Sequence, residues 1–199
     1  MAKKEGFLST LWKRAMLHGV QFADSHRRLD LLYKLSDPWG METAREQYRF
    51  RETNAFLERH VGPIQKLLEI GCGEGHQTIH LQEIAHFVVG VDVSPTAIER
   101  ARRRVPSAQF VAGDVVKEPN IVGSRPFDVV TGCEVLYYAS DVSRYAAALE
   151  HLGRRVLVTY VDKHRDVLDP ILSSKPDTVF GKIRFEDISW TIAMWRGAD

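Results

Sequence analysis

Cysteine is scarce in this chain: only Cys72 and Cys133 occur among 199 residues. Two cysteines cannot build a disulfide framework, and they are too few for a cysteine-only zinc site. Long apolar runs are also missing, since no stretch approaches the roughly 18 residues that a membrane span needs. The eight histidines show no metal-binding spacing such as His-Glu-x-x-His. Charge of one sign is not in excess either: 27 Lys and Arg oppose 26 Asp and Glu, for a formal net charge of +1. A dedicated nucleic-acid binder usually carries a basic excess or stripe, so the balance argues against nucleic acid as a partner. The N-terminus, Met-Ala-Lys-Lys-Glu, lacks an apolar segment followed by a small-residue cleavage site. The expectation is a cytoplasmic globular chain with no transmembrane segment.

What is present divides at about residue 62. From Gly6 to Leu35, apolar residues recur at helical spacing: Phe7, Leu8, Leu11, Trp12, Ala15 and Met16, then Leu29, Leu31, Leu32 and Leu35. Lys3, Lys4, Lys13 and Arg14 beside Trp12 also suit an interfacial helix, but a cap over a binding site is the simpler reading. Asp37-Pro38-Trp39-Gly40 breaks the pattern with a turn. A further helix is expected from Met41 to Val61, with Tyr48, Ala55, Phe56 and Leu57 inward, until Gly62-Pro63 stops it. Residues 1–62 thus read as an N-terminal helical cap.

From Lys66 onward, short β-rich runs alternate with helical patterns. Strands are expected at Leu67–Ile70, Phe87–Val93, Gln109–Val111, Phe127–Thr131 and Arg155–Val161. Helices are expected at His76–Ala85, from Ser94-Pro95 to Arg104, and at Asp141–Leu152 with Gly153 as C-cap. Near-continuous Val, Ile and Leu strands separated by helices mark a parallel sheet buried on both faces. Two further β-prone runs, Lys182–Phe185 and Trp190–Trp195, lie too close together for a helical crossover and should pair antiparallel. Residues 63–199 therefore predict an α/β, Rossmann-like, doubly wound sheet of seven strands with an antiparallel C-terminal edge hairpin. The link from Asp162 to Thr178 is too short for an extra domain, so any lid must come from the cap.

Glu69-Ile70-Gly71-Cys72-Gly73-Glu74-Gly75 sits where the first strand hands over to a helix. Glycines there let the backbone turn tightly and approach a ligand closely. The spacing is G-x-G-x-G with an acidic residue two positions before the first glycine, not the G-x-G-x-x-G of dinucleotide enzymes. Asp92 ends the second strand, where a carboxylate accepts both hydroxyls of a ribose, whether of NAD or of S-adenosylmethionine. The plainer role for Asp92 is to cap the next helix, although Ser94 is available for that. Asp114 ends the third strand, and Glu134-Val135-Leu136-Tyr137-Tyr138 follows the fourth.

In this order and on these elements, the landmarks resemble those of the class I S-adenosylmethionine-dependent methyltransferases. Asp37-Pro38-Trp39 upstream and Glu134–Tyr138 downstream resemble the nodulation-type group, whose founding member N-methylates the free amine of a chitooligosaccharide. The resemblance implies S-adenosyl-L-methionine as cofactor and Glu69, Gly71, Cys72, Gly73, Asp92, Val93, Asp114, Val115 and Cys133 as its binding residues. Asp114 would receive the adenine amine. Trp39, Tyr48 and Arg51, which lead into the first strand, are expected to close over the cofactor, an Arg or Tyr there binding the methionine carboxylate. The plainer alternative, of equal weight, has Trp39 anchoring the turn in the core and Arg51 solvated. The implied acceptor is a small molecule, expected to be a saccharide or amino sugar, methylated at N or O.

Missing motifs narrow the chemistry. No Asp/Asn-Pro-Pro-Tyr/Phe segment follows the fourth strand, as base-amine methylation requires, and Cys133 lacks the Pro that accompanies base C5 methylation. Cys133 reads instead as a small buried hydrophobe. There is no Cys-x3-Cys-x2-Cys cluster for radical chemistry. Arg100-Ala101-Arg102-Arg103-Arg104 reads as a solvated helix face. Of the histidines, His18, His26 and His164 are placed to reach substrate. Proton removal from an acceptor is assigned to Glu134, supported by Tyr137, with His164 as the rival base and Tyr138 and Asp162 nearby. A non-catalytic Rossmann-like nucleotide- or partner-binding module and a nicotinamide oxidoreductase stand as the alternatives.

Overall fold

A computed structural model describes residues 18–123 and 126–198. Seven strands form one sheet: β1 (Ile64–Ile70), β2 (Ala85–Asp92), β3 (Gln109–Ala112), β4 (Phe127–Cys133), β5 (Gly153–Val161), β6 (Val179–Phe185) and β7 (Ile188–Arg196). Their order is β3-β2-β1-β4-β5-β7-β6. The first five run parallel, whereas β7 pairs antiparallel with both β5 and β6. The expected fold class and its edge hairpin are what the structure shows. The chain winds outward from β1 to β3 and then returns to β4 on the other side of β1. This topological switch point is where open α/β sheets bind ligands, beyond the carboxyl ends of the strands.

Six α-helices accompany the strands among the described residues: α1 (His26–Leu32), α2 (Ala44–Val61), α3 (His76–Leu81), α4 (Pro95–Arg104), α5 (Val142–Glu150) and α6 (Arg165–Ser173). Successive strand residues point to opposite faces, and both faces are covered. Leu68, Val130 and Val158 pack with Ala146 and Leu149 of α5 and Leu168 and Leu172 of α6 on one side. Leu67, Val129 and Leu157 pack with Phe56 and Leu57 of α2 on the other. Burial on both sides explains the unbroken apolar runs in the sequence.

Several local expectations are corrected. Residues 6–17 lie outside the described residues, so their helical reading is not addressed. Between residues 18 and 25 the chain is not helical. Instead it docks on the segment after β4, with the Phe22 amide donating to the Tyr137 carbonyl (2.8 Å) and the Asp24 amide to that of Tyr138 (3.1 Å). Helical apolar spacing lapses just there, between Met16 and Leu29. Gly153 is not a C-cap, because it opens β5; His151 caps α5. Helix α6 lies in what reads as a plain link. Its internal Pro170 hides it, yet Leu168 and Leu172, four residues apart, seat one face in the core. No helix among the described residues is long and apolar enough to cross a membrane.

Candidate active site

A cavity of about 350 Å³ opens at the carboxyl ends of β1, β2 and β4, roofed by residues 24–50. Its size falls within the roughly 300–1,000 Å³ range of small-molecule sites. Gly71 and Gly73 form the turn at its base, both with positive φ (+70° and +53°). A Cβ at Gly71 would overlap Val135, and one at Gly73 would come within 2.9 Å of the Tyr33 hydroxyl. Only glycine leaves this loop in contact with the cavity and with its own roof.

Asp92 holds the loop from the neighbouring strand. Its Oδ2 accepts the Gly73 amide and its Oδ1 the Ser94 amide, each at 2.9 Å. Burial raises its pKa to about 6. The Ser94 hydroxyl caps α4 by accepting from the Ala97 amide at 3.1 Å. Asp92 is thus not the cap of that helix; it ties the loop to strand β2 and faces the cavity. Asp114 also lines the cavity, with its Oδ1 accepting the Val116 amide at 3.0 Å and its Oδ2 3.7 Å from His26 Nδ1. Val93, Val115 and Cys72 complete this end. The Tyr145 ring from α5 lines the same end.

The opposite end carries charge. Glu134 adopts φ +60°, an unfavourable backbone state for a non-glycine residue, at the first position after β4. The Tyr137 hydroxyl donates to its Oε2 at 3.0 Å, and the Thr159 hydroxyl to its Oε1 at 3.3 Å. Burial pushes its pKa up, while the nearby Arg49 guanidinium pulls it down. Arg49 Nε donates to Glu46 Oε2 at 2.8 Å, and Nη1 reaches Gln77 Oε1 at 3.3 Å and Thr159 Oγ1 at 3.4 Å. Burial would strip its proton, but Glu134 and Glu46 outweigh that and keep it charged. Glu69 accepts the Thr78 hydroxyl at 2.5 Å, and burial raises its pKa to about 8. Cys133 lines the cavity and accepts from Gln77 Nε2 at 3.3 Å.

Trp39 is in place, lining the cavity and donating from Nε1 to the Tyr33 hydroxyl at 3.1 Å. Five other expected residues, Tyr48, Arg51, His164, His18 and Asp162, are not brought to the cavity. Tyr48 packs on Phe185 at 5.5 Å, and Arg51 lies exposed over the Tyr48 ring. Arg49 takes the inward position that was expected of Arg51. Two residues of helix turn through about 200°, so 49 and 51 cannot share a face. The signal was available: Glu46, Arg49, Phe50, Thr53 and Leu57 form a continuous stripe at helical spacing. His164 is buried beneath the site, stacked on Tyr137 at 4.4 Å, and does not line the cavity. Burial and Lys163 lower its pKa. His18 is exposed and away from the cavity, whereas His26 lines it. Asp162 is engaged elsewhere, accepting from Ser189, Thr191 and Lys182. The arginine run is not a free solvated face either. Arg100 and Arg104 bind Glu74, and Arg102 donates to the Phe110 carbonyl at 2.8 Å.

Comparison with known proteins places the chain. The profile of the family described as Nodulation protein S (NodS) matches residues 22–160. The chain belongs to the NodS family. It is 32% identical over 130 residues to Nodulation protein S of Bradyrhizobium diazoefficiens, covering 65% of this chain and 62% of that protein. It is 30% identical over 142 residues to Nodulation protein S of Sinorhizobium fredii, covering 68% of this chain and 65% of that one. The chain therefore spans just under two thirds of the length of these relatives. In fold it is similar to N-methyltransferase NodS from Bradyrhizobium japonicum WM9, solved with S-adenosyl-L-homocysteine. The TM-score is 0.72 at 20% identity, over 88% of this chain and all of that one. Magnesium protoporphyrin IX methyltransferase from Synechocystis PCC 6803, solved with S-adenosylmethionine, matches with a TM-score of 0.59 at 16% identity, over 98% and 100%.

Proposed function

We propose that this chain is an S-adenosylmethionine-dependent methyltransferase that moves a methyl group to a nitrogen or oxygen of a small saccharide or amino sugar. The observation that carries this reading is the pairing, in one cavity, of two strand-end aspartates beside the glycine turn with the half-buried Glu134 carboxylate after β4. When bound, the cofactor supplies an activated methyl on a sulfonium, so the protein's work is placement and proton handling. Asp92 would hold the ribose hydroxyls and Asp114 the adenine amine. The turn Gly71–Gly73, with Cys72, gives close backbone approach, and Val93 and Val115 wall the nucleoside. The methionine end would lie near Glu69 and the charged Arg49.

Glu134 is suited to hold the acceptor. Each of its oxygens takes one protein hydrogen bond and keeps lone-pair capacity for a substrate N–H or O–H. The nitrogen or oxygen would give its electron pair to the methyl carbon as the carbon–sulfur bond breaks and neutral S-adenosylhomocysteine leaves; its proton would pass to a Glu134 oxygen, with Tyr137 steadying that carboxylate. An amino sugar suits the site best, because a carboxylate orients an amine through its N–H groups. The deciding experiment incubates the protein with methyl-labelled S-adenosylmethionine and either a de-N-acetylated or a fully N-acetylated chitooligosaccharide. Label should enter the first and not the second; no transfer to any saccharide would contradict the acceptor class.

A further inference from the structure

Glu74, the residue between Gly73 and Gly75, has no ribose or adenine to hold, yet it is nearly inaccessible to solvent. Its carboxylate accepts the Asp37 amide at 3.2 Å and Arg100 Nη1 at 2.5 Å, and it lies 3.5 Å from His76 Nε2. Burial works against its charge, but His76, Arg100 and the Asp37 amide more than offset this, and its pKa is lowered. The same Nη1 of Arg100 donates to the Leu35 carbonyl at 2.8 Å. One ion pair therefore grips the roof at two points, a carbonyl at 35 and an amide at 37. Four residues further along α4, Arg104 Nε donates to the Glu74 carbonyl at 2.9 Å and fixes the loop itself.

The grip acts on a turn that does not sit there for free. Asp37 has φ +45°, a left-handed state for a residue followed by proline. Such positions are strained and persist where their surroundings over-determine them. Asp37 also turns its carboxylate forward to accept the Met41 amide at 2.7 Å. Two residues on comes Trp39, bonded to the Tyr33 hydroxyl that stands over Gly73. The pair thus sets where Tyr33 and Trp39 form the wall above the glycine turn.

We propose that Glu74 and Arg100 are positioning residues for the cofactor, clamping the segment 33–39 over the methionine half of its site. The proposal rests on the cofactor assignment above. Arg100 does not line the cavity, and the carboxylate of Glu74, which borders it, is taken up by the Asp37 amide and Arg100, so both side chains act through the roof. Arg100 has the geometry for the task, since one guanidinium Nη donates to the Glu74 carboxylate and the Leu35 carbonyl at once while its planar fork stays fixed.

The test measures affinity for S-adenosylhomocysteine and for adenosine, which fills only the nucleoside half, in wild type, Arg100→Met, Arg100→Lys and Glu74→Gln. Arg100→Met should weaken S-adenosylhomocysteine about tenfold, the scale of one lost charge-assisted hydrogen bond, and leave adenosine within about twofold. Arg100→Lys should fall between, keeping the charge but not the double grip. A merely structural role would lower both ligands together. Equal losses for the two ligands, or unchanged S-adenosylhomocysteine affinity, would overturn the clamp. If Glu74→Gln fails to fold, the Arg100 pair of variants decides alone, because Arg100 is partly exposed on α4. Wild type binding neither ligand would defeat the cofactor assignment and the clamp together, whereas wild-type binding matched by Arg100→Met defeats the clamp only.

Discussion

The Tyr137 hydroxyl donates to Glu134 Oε2 at 3.0 Å, and on its other face Tyr137 is stacked by His164 at 4.4 Å. The carboxylate holds the hydroxyl of the phenol and the imidazole packs on its ring, so the two candidate bases are not equivalent. Glu134 reaches the cavity; His164 supports the ring that orients it. Glu134→Gln should therefore lower kcat by about 100-fold or more, the scale of general acid–base catalysis, with S-adenosylhomocysteine affinity nearly unchanged. His164→Ala should cost stability and only a smaller part of turnover. Steady-state kinetics beside calorimetry separates the two; loss of turnover confined to His164→Ala would make His164 the base.

Asp92 carries a pH signature. In its proposed role its charged form would accept hydrogen bonds from a ribose, and burial raises its pKa to about 6. Affinity for S-adenosylhomocysteine should hold above that value and fall as pH drops through it. Asp92→Ala should weaken binding by about 1–3 kcal/mol and remove the dependence. Titrations at several pH values check both; a flat wild-type profile would take Asp92 out of the ribose contact.

Glu69 gives a stability signature of opposite kind. Its pKa is raised from 4.5 to about 8, so between those values the folded chain holds a proton that the unfolded chain has lost. The unfolded state then binds fewer protons, and stability falls as pH rises through this window, by at most about 1.4 kcal/mol per unit. Glu69→Gln should flatten that slope. Urea melts at pH 6 and pH 8 measure it, and an unchanged slope in the variant would assign the dependence elsewhere.

Arg49 and Arg51 provide a paired control. Arg49→Met takes from Glu134 the cation beside it and leaves Glu46 with Arg45 alone, and should cost about 3 kcal/mol. Arg51→Ala, on the exposed face, should change stability by less than about 0.5 kcal/mol. Chemical denaturation of the two variants tests the assignment of faces on α2.

Much of this architecture is legible from residues alone. Parallel strands buried on both faces write themselves as runs such as Leu67–Ile70, and Ser94-Pro95 announces α4 through its cap and its proline. The strand-end aspartates and the glycine turn follow, because position on a doubly wound sheet fixes their place. What is not legible depends on partners distant in sequence. Arg51 and Arg49 differ only in which face meets Gln77 and Thr159. Glu74 reads as a loop filler until Arg100 and Asp37 are seen to converge on it. Helix α6 is hidden by Pro170, and residues 18–25 are set by carbonyls at 137 and 138 rather than by their own pattern.

The most direct test of the account is calorimetric titration of the whole chain with S-adenosylhomocysteine and, separately, with NAD. The account predicts saturable one-to-one binding of S-adenosylhomocysteine and none of NAD. Binding of NAD in its place, or no heat with S-adenosylhomocysteine, would contradict it.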